Sequence, residues 1–311
     1  MECYHEPVLL QQVVDFLQIR SGGIYVDGTA GTGGHTEAIA ERVCPGGKVI
    51  AIDLDREAIA MAGKRLERFG ECVEFVTGNF AEVDRTLAER NIEKVQGMVM
   101  DLGFSSYQLA RAERGFAFSV EGPLDMRMSR ESGPTANEVI NEYPEEDIAG
   151  IIREFGEERF SRRIAAAIVM CRKEKKIEST TQLAQIVTGA IPRKYQSCKL
   201  QPATKTFQAL RIFINSELDN LKKALPKAID CLGKAGRLIV ISFHSLEDRI
   251  VKTTFRKFAA GCTCPPSFPV CRCDNIPLVK IITRRPVVPT KEEVQRNPRS
   301  RSAKMRVCEK L

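Results

Sequence analysis

Gly23-Ile-Tyr-Val-Asp27-Gly-Thr-Ala-Gly31-Thr-Gly33-Gly34-His35, followed after a helix-like segment by Lys48-Val-Ile-Ala-Ile-Asp53-Leu-Asp55, decides the fold of this 311-residue chain. A β-rich run ends in an acid, and a glycine-rich turn opens a helix. A second apolar strand then ends in another acid, about 20 residues past the turn. This is a nucleotide-binding βαβ unit. Working outward, Arg56 to Phe69 reads as a helix, Cys72 to Thr77 alternates as a third strand, and Val95 to Asp101 reads as a fourth, buried strand. In open α/β sheets ligands sit at the carboxyl ends of the strands, which brings Asp27, Asp53, Asn79-Phe80 and Asp101 to one crevice.

Asp27 decides which nucleotide the turn suits. A dinucleotide pyrophosphate would be repelled by an acid immediately before the glycines. S-adenosylmethionine has no phosphate and carries a cationic sulfonium and an amino group, so acids near that turn favour it. The residues therefore point to a methyl-donor site over a dinucleotide site, with a ligand-free tight turn as the plain alternative. Asp53 is placed to accept hydrogen bonds from ribose hydroxyls.

Hydrophobic content of 43% and charged content of 28% are ordinary for a globular protein. The length suits one large domain with an insertion or a small second domain. No apolar run approaches the roughly 18 residues of a membrane span, and the N-terminus lacks a signal-peptide pattern. A cytoplasmic protein with no membrane partner is the expectation. Eleven cysteines, among them Cys72 and Cys171, lie mostly in apolar segments and suit reduced thiols better than a disulfide framework. Cys262, Cys264, Cys271 and Cys273 form two C-x-C pairs in a Pro-rich loop: a compact zinc knuckle or an exposed redox-sensitive loop. Residues 280–311 hold ten Lys/Arg against three acids and so carry the whole net charge of +7. That concentration suggests a polyanion such as RNA, against the plain reading of a solvated tail.

From about residue 111 the pattern turns helical. Thr135-Ala-Asn-Glu138 and Ser179-Thr-Thr-Gln182 fit capping boxes, and Pro144-Glu-Glu fits a first helical turn. No comparable strand follows until Gly236 to Ser242, which argues for a helical insertion in the sheet. One helix from Phe207 to Leu225 is expected to return the chain to the sheet, and Leu278–Thr283 and Ala303–Val307 read as late strands. The expected fold class is α/β, a Rossmann-like sheet built from residues 1–110 and 207–311, with a helical inserted domain at 111–206.

Several long segments coincide with one family. They are Tyr4-His5-Glu-Pro7-Val-Leu-Leu10, Asp27 to His35, Asp101-Leu-Gly-Phe-Ser-Ser-Tyr-Gln108-Leu109, Arg114-Gly-Phe-Ala-Phe118 and Gly122-Pro-Leu-Asp-Met-Arg-Met128. Gly156-Glu-Glu-Arg-Phe160, Pro202 to Arg211, Ser242-Phe-His-Ser-Leu-Glu-Asp-Arg-Ile250 and Asn297-Pro-Arg-Ser-Arg-Ser302 continue the match. Over essentially its whole length the chain resembles the bacterial methyltransferases that modify cytosine N4 in small-subunit ribosomal RNA near the decoding centre. The resemblance implies a Rossmann-like class I methyltransferase sheet, recognition of substrate RNA by the inserted domain at 111–206, S-adenosylmethionine contacts at Gly33, Gly34, His35, Asp53, Phe80, Asp101 and Gln108, and the small-subunit RNA as partner. Phe80 suits covering the adenine ring and Gln108 a polar edge of the donor. His35, at the helix start, is expected to bind donor rather than act as a base. His244 is either a crevice-rim contact or a structural histidine. Nothing in the sequence specifies an oligomeric state.

The acceptor chemistry follows from what is missing. Cytosine C5 methylation needs a cysteine nucleophile after the fourth strand, and positions 101–110 contain none. Cytosine N4 is a poor nucleophile that must be aligned behind an electrophilic methyl, with acceptors for its amino hydrogens. Asp101 is the candidate for that positioning, although Asp101-Leu-Gly-Phe departs from the acid-or-amide followed by two prolines of other amino-methyltransferases. Arg127, Arg162, Arg163, Lys205 and the basic C-terminal segment are candidates to hold phosphates. The rival readings are a methyltransferase on another nucleic-acid cytosine, and an RNA-binding ribosome-assembly factor that keeps the donor as a structural ligand.

Overall fold

The computed structural model describes residues 7–104, 108–109, 111–131, 133–196, 201–261 and 276–311. The chain divides into two compact units, one formed by residues 1–103 with 218–311 and the other by residues 104–217. No helix among the described residues is long and apolar enough to cross a membrane.

The first unit is a seven-stranded sheet. Its strands are β1 (Ile24–Asp27), β2 (Lys48–Asp53), β3 (Val73–Thr77), β4 (Val95–Asp101), β5 (Leu232–Ser242), β6 (Val279–Ile281) and β7 (Lys304–Lys310). They lie in the order β3-β2-β1-β4-β5-β7-β6. The neighbours among β1 to β5 are parallel, while β7 runs antiparallel between β5 and β6. Alternation of side chains puts Val26, Ile50, Ile52, Met98, Met100, Leu238 and Val240 on one face. Tyr25, Val49, Ala51, Val99, Ile239 and Ile241 line the other. Both faces are covered by helices, which is why these strands read as unbroken apolar runs. The strand order reverses between β1 and β4, so the crevice opens where Asp27 and Asp101 end their strands.

One expectation is corrected here. Cys44 and Cys72, expected as reduced thiols, form a disulfide with Cα atoms 6.2 Å apart. Cys44 follows the helix Gly34–Val43 and Cys72 directly precedes β3. The parallel sheet brings these two chain positions to the same amino-end edge, a neighbourhood that 28 residues of separation hide in the sequence. Cys171, Cys231 and Cys308 remain free thiols. Closing a loop of this length is worth about 3–4 kcal/mol by chain entropy. Reduction is therefore expected to lower the melting temperature by on the order of 5–10 °C. A Cys44→Ser/Cys72→Ser protein should start at the lower value and ignore reductant; an oxidised wild type that melts at the same temperature would refute the cross-link's role.

In the second unit five helices among the described residues surround an apolar core: Ala136–Glu142, Glu145–Gly156, Ser161–Glu174, Thr180–Ala190 and Thr204–Ile214. Helical spacing aligns Ile148 with Ile152, Ile164 with Ile168, and Leu183 with Val187 on the inward faces. Thr135 and Glu138, and Ser179 and Gln182, form reciprocal capping boxes, as their spacing predicts. Arg114 is buried and donates through Nη2 to the carbonyls of Arg127 and Met128. The single helix expected over Phe207–Leu225 is two helices, Thr204–Ile214 and Glu217–Cys231. Asn215 breaks it. Its Nδ2 donates to the Met126 and Arg211 carbonyls while its Oδ1 accepts from the Met128 N–H, and Ser216 takes φ 50°.

Candidate functional site

The turn after β1 is stitched to both neighbouring strands. Gly28 N–H donates to the Val99 carbonyl of β4, and Ala30 N–H donates to the Ile52 carbonyl of β2, each at 2.8 Å. Gly33 then caps the helix Gly34–Val43 at φ 88°, a conformation that favours glycine, and an added Cβ would meet Leu66 Cδ1 at 2.9 Å. Gly33 offers no side chain to the first-turn N–H groups, which leaves them facing the crevice.

Three carboxylates ring this turn, each with a different job. Asp27 is fully buried. Its Oδ1 accepts the Thr29 N–H at 3.1 Å and its Oδ2 accepts the Thr36 hydroxyl at 2.7 Å, so it braces the turn from within. Burial pushes its pKa up, against His35 and those two donors, which pull it down. Asp53 ends β2. Its Oδ2 accepts the Gly31 N–H at 2.7 Å and its Oδ1 accepts the Asp55 N–H at 2.8 Å, while each oxygen keeps a second lone pair. Burial raises its pKa to about 6 despite those donors.

Asp101 ends β4, where its own N–H donates to Thr29 Oγ1 at 2.6 Å. Its Oδ2 lies 3.5 Å from His35 Nε2. Burial of the imidazole works to lower the His35 pKa, but Asp101 and Asp27 outweigh it and the pKa is raised. Asp101 Oδ1 and His35 Nδ1 are buried without a hydrogen-bond partner among the described residues, while His35 Nε2 has the Asp101 carboxylate beside it. Buried polar atoms are ordinarily satisfied by protein, water or ligand, and these lie at the carboxyl end of the sheet, where open α/β sheets take their ligands. Beside Asp53, Gly78 N–H donates to the Asp53 carbonyl, and Asn79 Oδ1 accepts the Ala81 N–H, fixing the short turn that begins at Phe80. Phe80 is half-buried and packs close to Gly28.

Of the residues expected in the site, Gly33, Gly34, His35, Asp53, Phe80 and Asp101 belong to one end of one sheet. Gln108 lies in the other unit, where it is buried. Cys262, Cys264, Cys271 and Cys273 lie outside the described residues. Thr29 and Thr36 were not singled out by sequence; hydroxyls two and nine residues after the strand-ending Asp27 were the available signal. His244 caps the helix Ser245–Ala259: its Nδ1 accepts the Glu247 N–H in a reciprocal box, and its Nε2 lies 3.2 Å from Glu247 Oε1. Of the basic candidates, Arg127 is held by Asp125 through two hydrogen bonds, and Lys205 Nζ donates to the Glu157 carbonyl. The C-terminal segment is only partly a solvated face. Lys304 and Arg306 lie beside Asp248, and Lys310 lies beside Asp230, whereas Arg299 and Arg301 are exposed.

An end of the sheet with a glycine turn, an acid with unused lone pairs, a half-buried aromatic and a partnerless carboxylate oxygen suits a phosphate-free nucleoside bearing a positive charge. Comparison with known proteins gives the same direction. A family model described as the MraW methylase family matches residues 2–311. The chain is 52% identical over 308 residues to the ribosomal RNA small subunit methyltransferase H of Pelobacter propionicus, covering 99% of this chain and 98% of that one. It is also 52% identical over 308 residues to the protein of the same name from Geotalea uraniireducens, covering 99% of each. The corresponding Heliobacterium modesticaldum protein is 49% identical over 312 residues, covering 100% of both chains.

Proposed function

The chain belongs to the MraW methylase family, and from that premise we propose that it methylates the exocyclic N4 of a cytosine in small-subunit ribosomal RNA, with S-adenosylmethionine as donor. The observation that carries the donor assignment is the acid-ringed glycine turn with partnerless buried atoms on Asp101 and His35. Such a site repels phosphate and accepts a cation. The donor supplies a methyl group on a sulfonium, already electrophilic.

The chain's residues have the remaining work. Asp53 accepts the ribose hydroxyls with its unused lone pairs, and Phe80 covers the adenine. The backbone of Gly33 and Gly34, with His35, fixes the donor's polar groups. Asp101 holds the amino hydrogens of cytosine N4, favouring a lone pair aimed at the methyl. Direct attack follows, because residues 101–110 contain no cysteine for a covalent intermediate: the N4 lone pair would form the new C–N bond as the methyl–sulfur bond breaks, S-adenosylhomocysteine would leave, and the surplus N4 proton would pass to solvent. The helical unit between β4 and β5 and the exposed Arg299 and Arg301 hold the RNA.

The test is turnover across substrates. S-adenosylhomocysteine should form with small subunits lacking the modification and not with transfer RNA, duplex DNA or protein. Donor binding without turnover on any of them would favour the assembly-factor reading. For the RNA contacts, Arg299→Gln/Arg301→Gln is expected to weaken RNA binding and reduce the salt slope by roughly two, with donor affinity unchanged. An unaltered slope would remove these residues from the interface.

A further inference from the structure

Tyr195 is the one exposed aromatic side chain among the described residues, 49% accessible. It closes the short turn Arg193–Tyr195 of the helical unit. The Arg159 guanidinium lies over its ring with Cζ 3.9 Å from the centroid, and over the Phe160 ring at 4.6 Å. The two rings are 5.3 Å apart and tilted by 41°, and Lys194 Nζ lies 5.0 Å from the tyrosine centroid. Phe160 is half-buried against the core of its unit, and its N–H donates to the largely buried Glu158 carboxylate at 2.9 Å. The cluster is therefore anchored on one side and open on the other.

Its electrostatic setting points to an anion. Arg162 and Arg163 occupy the first turn of the helix Ser161–Glu174, which has no acid there. Cations at a helix N-terminus oppose the dipole, so this arrangement works against the helix itself. Arg159, Arg162, Arg163, Arg193 and Lys194 are all exposed, and none has a carboxylate partner among the described residues. A phosphate site alone would need no stacked rings, and a duplex would present no base face to them. Aromatic and guanidinium planes beside unpaired cations match an unpaired nucleotide, its base stacked and its phosphates neutralised.

We propose that Arg159, Phe160 and Tyr195 form a stacking platform for an unpaired base of the RNA substrate, an assignment that rests on the reading of RNA as the substrate. The chain has no tryptophan, so Tyr195→Trp installs a single fluorescent reporter on the platform. Single-stranded RNA decamers should quench it saturably, while duplex RNA of equal charge and polyglutamate should not. Tyr195→Ala should weaken decamer binding roughly tenfold, with Tyr195→Phe staying within about twofold of wild type. Equal quenching by duplex, quenching by polyglutamate, or unchanged decamer affinity in Tyr195→Ala would each overturn the platform. Donor affinity, measured in parallel, should be unaffected in all variants; a loss would mean that Tyr195 serves the fold instead. Subunit methylation by wild type separates the two claims. Failure there removes the functional reading, whereas methylation with no tryptophan response removes the platform alone.

Discussion

Asp101→Ala is expected to lower the rate of methyl transfer at saturating donor and RNA by at least about 100-fold, with the fold intact. Removing one preorganised polar partner of a reacting group typically costs about 10²–10³ in rate. Asp101 is preorganised in that sense. Its backbone is pinned through Thr29 Oγ1, one oxygen lies beside His35, and the other is buried with no protein partner among the described residues. Deleting the side chain removes no internal hydrogen bond of Oδ1 but does remove the contact of Oδ2 with His35, so a modest loss of thermal stability is expected with the fold retained. Single-turnover methylation measures the effect. Asp101→Asn keeps an acceptor oxygen but loses the charge, and should recover part of the rate. A rate within about fivefold of wild type for Asp101→Ala would remove Asp101 from the reaction and leave it as a donor contact.

Asp53→Ala is expected to raise the donor dissociation constant at least about 100-fold. Two effects combine: loss of acceptors for ribose, and release of the Gly31 and Asp55 N–H groups that shape the turn. Asp53→Asn separates charge from shape and gives the pH test. The carboxyl has its pKa raised to about 6 in the folded, donor-free protein, from the ordinary aspartate value of 3.8. A raised carboxyl pKa contributes stability that is fully present below about 3.8 and is lost as pH rises through about 6. Donor binding runs the other way, because only the ionised form accepts from both ribose hydroxyls. Wild-type affinity should therefore fall as pH drops below about 6, approaching tenfold per unit. Asp27 and His35 face the same crevice and titrate as well, so the informative quantity is the difference between wild type and Asp53→Asn by calorimetry between pH 5 and 7. Parallel pH profiles would show that Asp53 is not the group that titrates.

The sheet was legible because its strands carry their own punctuation. Asp27, Asp53 and Asp101 each end an apolar run, and a parallel sheet buried on both faces leaves nothing else for such runs to do. The helices Ala136–Glu142 and Thr180–Ala190 were legible through their capping boxes. The break at Asn215 was not, because it arises from hydrogen bonds to Met126 and Met128, far away in the chain, and carries neither Gly nor Pro. The Cys44–Cys72 bridge was hidden for the same reason. Within the site, residue types found the glycines and acids, but not which acid does what. Asp27, which chose the ligand class on sequence, spends both oxygens on Thr29 and Thr36 and acts on the ligand through its charge and the turn it braces. The Lys304, Arg306 and Lys310 cations lie beside Asp248 and Asp230, more than 50 residues away in the chain, whereas Arg127 pairs with Asp125 only two residues before it.

The most direct test is to supply the purified protein with methyl-labelled S-adenosylmethionine and small ribosomal subunits that lack the modification, then to digest the RNA and identify the labelled nucleoside by mass spectrometry. Label in N4-methylcytidine, at one cytosine, is expected from wild type, and at least about 100-fold more slowly from Asp101→Ala. Label in 5-methylcytidine, or donor binding with no label in the RNA, would contradict that expectation.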